Sequence, residues 1–170
     1  KCNELMNDLL DKDISCKIDL SDKTPGFKFA DAEVKGYPVR IEVGPRDLAN
    51  GLVTLVRRDT FEKIQVKVED VVSEVDKLLK DIQNNLYDKA LKRRDSMIYE
   101  ASTFDEFIEI AMNKPGFIKI NWCGDVNCEN KIKDECGFKS RCLIEDEEVT
   151  GNCCCCGKEA KHRIYFGRQY

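Results

Sequence analysis

Eight of the chain's ten cysteines fall between Cys123 and Cys156, while the 106 residues separating Cys16 from Cys123 hold none. A small secreted domain stapled by disulfides spreads its cysteines along the chain. No secretion signal is visible either, because Lys1 to Asp11 mixes acids among its apolar residues. Clustered thiols without such a signal point to metal binding in a reducing compartment, the cytoplasm.

The spacing names the ligands. Cys123 and Cys128 form C-x4-C, and Cys153 and Cys156 form C-x2-C followed by Gly157-Lys158. Four thiolates at tetrahedral geometry are what structural Zn²⁺ prefers, and an all-sulfur set describes a closed structural site, not a catalytic one. Gly after the second pair accepts a positive φ, so the chain can curl round the ion. The 24 intervening residues form a loop that the metal closes, a useful staple for a small domain. In the run Cys153-Cys154-Cys155-Cys156 the outer two have the better spacing, leaving Cys154 and Cys155 for packing. Cys136 and Cys142 are spare candidates. Two other readings stay open: inert buried thiols, or a redox dithiol, which usually opens a helix in a βαβ setting.

Composition narrows the function classes. A net charge of −4 argues against a general coat on nucleic acid, DNA included. It leaves room for a small local RNA site. No apolar run approaches the roughly 20 residues of a membrane span. Lys1 without an initiator Met reads as an internal point of a longer protein.

Hydrophobic periodicity supplies the architecture. Leu5, Met6, Leu9 and Leu10 have helical spacing. Cys16 to Leu20 reads as a short strand, Phe27 to Lys35 as a helix closed by Gly36, and Val39, Ile41 and Val43 as a half-buried strand. Leu52 to Arg57 and Glu62 to Val68 are further strands. From about Glu69 to Arg94, apolar residues Val71, Val75, Leu78, Ile82 and Leu86 recur at helical steps. Thr103 to Met112 is a helix with Thr103 and Glu106 as a capping box. Gly116 to Trp122 reads as a strand, Asp125 to Cys136 as a polar helix, and Arg141 to Ile144 and Arg163 to Phe166 as strands. The expected fold is α/β: a mixed sheet packed with helices over residues 1–96, then a small α+β zinc-binding domain over 97–170.

One segment concentrates RNA-reading chemistry. Thr24 to Asp47 brings an exposed aromatic (Phe29), a carboxylate (Glu33) and a guanidinium (Arg40) close together, with Arg46 and Asp47 at the strand end. Unpaired bases are read by aromatic planes with donors and acceptors for base edges. A carboxylate accepts from the guanine N1–H and N2–H₂ together, and Arg donates to O6 and N7. The competing reading makes Phe29 core, and Glu33 with Arg40 an idle surface pair.

The same stretch, TPGFKF with KG-x-P-x-R-I-E-x-GPRDL and LVRRD, resembles the anticodon-binding domain of prolyl-tRNA synthetases of the archaeal and eukaryotic type. The likeness continues through IQNNLYDKA, NWCGDVNCENKIK, Arg141-Cys142, CGK-x-A and the terminal IYFGRQY. It implies proline activation with ATP and Mg²⁺ in a catalytic domain that this chain lacks, in a parent enzyme that is a homodimer. It implies that Phe29, Glu33, Arg40, Arg46 and Asp47 contact guanines in the anticodon loop of tRNA(Pro), and that Cys123, Cys128, Cys153 and Cys156 hold zinc. It also implies that the Tyr170 carboxylate approaches the catalytic domain. Members of that family open the domain with one further strand, which this chain lacks; the doubled cysteine at Cys154-Cys155 also departs from the pattern. No catalytic set is visible here. His162, the only histidine, reads as a surface residue, and no Gly-rich phosphate loop is present to bind ATP. Two rival functions follow from the same residues: a free-standing RNA-binding accessory protein, and a zinc-organised protein–protein module.

Overall fold

The computed structural model describes residues 1–169. The chain divides into two compact units, Lys1–Lys89 and Ala90–Tyr170.

The first unit begins with α1 (Cys2–Leu10) and α2 (Pro25–Lys35). Thr24 caps α2 by accepting from the Phe27 N–H, Pro25 sits in its first turn, and Gly36 ends it at φ 82°. Then follow β1 (Val39–Glu42), α3 (Pro45–Ala49), β2 (Leu52–Arg57), β3 (Lys63–Lys67), a 3₁₀ turn (Val68–Asp70) and α4 (Val71–Asp95). The strands form an antiparallel sheet in the order β1-β2-β3. One face of it packs inward: Val53 and Leu55 meet Leu5 and Leu9 of α1 and Val71, Val75 and Leu78 of α4 in one buried cluster. The alternation of a strand then sends its other residues to the opposite face, and the registers align them in rows. Arg40 lies across from Val56 and Val56 from Lys63; Glu42 lies across from Thr54 and Thr54 from Gln65.

The second unit holds β4 (Ile98–Ala101), α5 (Phe104–Asn113), β5 (Phe117–Trp122), α6 (Val126–Cys136), β6 (Phe138–Ile144) and β7 (His162–Arg168). Its sheet runs β4-β5-β7-β6, with β4 parallel to β5 and the other pairs antiparallel. The mixed sheet of the chain is therefore this one. Phe107 of α5 and Ile132 of α6 pack on Ile118, Ile120, Ile164 and Phe166. Phe107 meets the rings of Phe138 and Phe166 edge-on at 5.7 and 5.8 Å. The expected capping box forms in full: the Thr103 hydroxyl accepts from the Glu106 N–H, and the Glu106 carboxylate accepts from the Thr103 N–H.

Three local expectations change. Residues 16–20 form no strand; Ile14 and Cys16 pack on the core, and the Cys16 thiol donates to the Met6 carbonyl. β4 carries too short a pattern to announce itself, and pairing with β5 creates it. His162 is half-buried beside Trp122, ring centroids 5.8 Å apart, so it is no open surface residue. Tyr170 lies outside the described residues.

Candidate RNA interface and metal centre

Three of the five residues singled out in the first unit meet. The Phe29 ring, half-buried on α2, lies under the Arg40 guanidinium at 4.3 Å from carbon to ring centroid. Arg40 donates through Nη1 to Glu33 Oε1 at 2.9 Å and to the Phe29 carbonyl at 3.4 Å. Phe29 is thus no core residue, and Glu33 and Arg40 face the same side. The reason is register: Arg40 points away from the buried face of β1, and α2 lays Phe29 and Glu33, one helical turn apart, above it.

Asp47 joins the same face through Gln65, whose amide donates to Asp47 Oδ1 at 3.4 Å. Arg46 stands exposed on α3, and no hydrogen bond or ion pair among the described residues links its side chain to the other four. Three further neighbours, Glu42, Lys63 and Arg58, surround the group. Glu42 accepts from Arg40 Nε and Nη2 at 3.1 and 2.9 Å. Lys63 approaches Glu42 at 3.5 Å and the Phe29 ring at 5.9 Å. Arg58 Nε donates to the Glu33 carbonyl at 2.9 Å, fixing that turn of α2. Glu42 was legible from the two-residue period of β1; Lys63 and Arg58 needed the strand register.

Behind this face, the β2–β3 hairpin is locked to α4. Arg57 donates to both oxygens of Asp59 at 3.0 and 2.8 Å, and Asn85 donates to the same carboxylate. With 2% of its side chain exposed, Asp59 has its carboxyl held down at about 2, chiefly by the Arg57 hydrogen bond.

In the second unit, the sulfurs of Cys123, Cys128, Cys153 and Cys156 all lie within 4.8 Å of one another. Cys123 Sγ is 3.7 Å from both Cys128 Sγ and Cys156 Sγ. Sulfurs at about 2.3 Å around a tetrahedral zinc sit about 3.8 Å apart, so the set is sized for such an ion. Two tight turns make the cluster. Gly124 follows Cys123 at φ 85°, and Gly157 follows Cys156 at φ 73° while donating to the Cys153 carbonyl at 2.9 Å. Cys128 comes from the first turn of α6, whose cap, Asp125, accepts from the Asn127 N–H at 2.9 Å.

The electrostatics suit a cation. Burial pushes the Cys123 and Cys128 thiols up. Burial pushes Cys153 up as well, but backbone donation from Cys156, Cys155 and Cys123 more than reverses it, to about 7. One thiolate is prepared by amide dipoles, and its neighbours ionise only if a cation shares the charge. The cysteine cluster can therefore hold a metal ion. Cys154 turns into the main core of the unit, where burial raises its thiol to about 12. Cys155 packs beside the cluster. Neither Cys136, which donates to the Ile132 carbonyl, nor exposed Cys142 belongs to it.

Comparison with known proteins agrees with both halves. The family described as "Anticodon binding domain" matches residues 1–78, and the family described as "Prolyl-tRNA synthetase, C-terminal" matches residues 104–170. The chain is 53% identical over 155 residues to a proline–tRNA ligase of Clostridium novyi, covering 91% of this chain and 32% of that protein. It is 47% identical to proline–tRNA ligase 2 of Bacillus thuringiensis, covering 91% of this chain and 33% of that protein. With the proline–tRNA ligase of Clostridium botulinum it shares 46% over its whole length, or 36% of that protein. The chain thus spans about a third of the length of these relatives. All three are bacterial, so the expected archaeal and eukaryotic affiliation is not borne out. The chain belongs to the prolyl-tRNA synthetase family, whose anticodon-binding and C-terminal regions it carries.

Proposed function

We propose that this chain is the tRNA-reading part of a proline–tRNA ligase. In that reading residues 1–96 are the anticodon-binding domain, which holds the anticodon loop of tRNA(Pro), and residues 97–170 are a zinc-binding domain. The parent enzyme, a cytoplasmic homodimer, joins proline to the tRNA with ATP and Mg²⁺ in a separate catalytic domain. The observation that carries the reading is the contact group of Phe29, Glu33 and Arg40 on one face of the first sheet, in a chain of this family. Phe29 offers a plane on which a base stacks. Glu33 commits Oε1 to Arg40 and keeps its second oxygen for guanine N–H groups. Asp47, steadied by Gln65, adds a second acceptor, and exposed Arg46 a donor or phosphate partner.

Cys123, Cys128, Cys153 and Cys156 would hold one Zn²⁺, which closes the loop between α6 and the second knuckle and does no chemistry. Elemental analysis of protein prepared without chelator should find about one zinc per chain, since structural sites of this type bind tightly.

The deciding experiment compares binding of a tRNA(Pro) anticodon stem-loop with one whose two guanines are replaced. Glu33→Ala should cost about 1–3 kcal/mol on the guanine RNA and little on the other. Equal binding of the two RNAs by the unaltered protein removes the anticodon role.

A further inference from the structure

Arg40 has five N–H groups, and four are already taken inside the protein. Nη1 serves Glu33 and the Phe29 carbonyl, while Nε and Nη2 both serve Glu42 Oε1. One N–H, on Nη2, has no acceptor among the described residues. The two acids differ in access: the Glu33 side chain is 39% exposed and that of Glu42 19%. Glu33 is therefore open to a base, while Glu42 is turned into the protein and spends itself on Arg40. It also lies 3.5 Å from Lys63, the second cation beside the Phe29 ring. A guanidinium is planar, and a carboxylate along its Nε edge fixes the rotation of that plane.

We propose that Glu42 is a specificity-determining positioning residue of this site: it acts through Arg40, setting the one free N–H beside the open oxygen of Glu33 as a donor–acceptor pair that matches guanine. The assignment rests on the guanine-reading function proposed above. Without Glu42, Arg40 is free to swing toward phosphate, and the balance of two acids and two cations around Phe29 becomes one acid against two. Discrimination then falls while general attraction for RNA rises.

The test uses full-length, metal-loaded protein and two anticodon stem-loops, one with the two guanines and one with adenines in their place. The readout is the ratio of the two affinities. Glu42→Ala should cut the ratio by about tenfold, within the range of one lost base contact, with binding of the adenine RNA unchanged or tighter. Glu42→Gln, which keeps an acceptor, should retain part of the ratio, and it serves alone if the alanine variant does not fold. On an Arg40→Gln background, Glu42→Ala should change the ratio by less than about twofold, because coupled residues do not add. If Glu42→Ala keeps the wild-type ratio while Glu33→Ala loses it, Glu42 has no such role and the guanine-reading function stands. Equal weakening on both RNAs makes Glu42 merely structural and overturns the proposal. A wild-type ratio of one overturns the function and this proposal together.

Discussion

The two units solve the same problem, holding polar side chains in fixed geometry, with different means. In the first, an apolar sheet face with Val53 and Leu55, packed on Val71 and Val75 of α4, leaves the other side of the sheet for charge. The site there is held by ion pairs and hydrogen bonds, each worth little alone and effective because Arg40 joins four of them. In the second, the core packs large aromatics, and four sulfurs stand beside it in two knuckles. In the function proposed above, the first is a surface that an RNA would complete, and the cysteine cluster a cross-link that an ion would complete. The first should tolerate the loss of single members with graded effects, and the second should not.

The largest test of that contrast is Cys153→Ser. It should lower the metal content from about one per chain to near zero and remove several kcal/mol of stability from the second unit alone. Elemental analysis with thermal unfolding followed by Trp122 fluorescence, the chain's single tryptophan, reads both. A change in the first unit's unfolding, followed in parallel by amide hydrogen exchange of β1 to β3, would break the separation. Next comes Phe107→Ala, at about 3–5 kcal/mol, because that fully buried ring touches Phe138 and Phe166; the metal content should survive it.

The first unit has one strong polar lock, and its sign is defined. Asp59 has a folded value depressed to about 2 by Arg57, so it stabilises fully above the ordinary carboxylate range and less as pH falls from about 4 toward 2. Asp59→Asn should cost about 2 kcal/mol near neutral pH and flatten that acid limb in pH-dependent unfolding. An unchanged acid limb would show that the hairpin is held by packing. Smaller again, Thr103→Ala should cost about 1 kcal/mol by removing half of the capping box on α5. Smallest is Cys142→Ser, exposed and outside the cluster, with an expected effect under about 0.5 kcal/mol in the same melts.

Much of the geometry of both candidate sites is readable along the chain, and the particular residues show why. Cys123, Cys128, Cys153 and Cys156 follow from spacing, since a knuckle is a local object and Gly157 marks its turn. Phe29 and Glu33 share a helix face by their separation, and Arg40 and Glu42 share a strand face by theirs. The long helix, the capping box and most strands are periodic enough to read within a few residues. What stayed hidden was non-local. β4 exists because β5 offers it a parallel partner, and residues 16–20 form no strand.

From sequence alone came the helical and strand periods, the cysteine pairs and the residue types able to read guanine, because each depends on neighbours along the chain. Tertiary structure decided that Arg40 stacks on Phe29, that Glu42 and not solvent holds its Nε edge, and that Cys154 turns into the core while Cys153 turns to the cluster. Strand register and the packing of helices on sheets set those choices, by bringing together residues far apart in sequence that no local pattern can align.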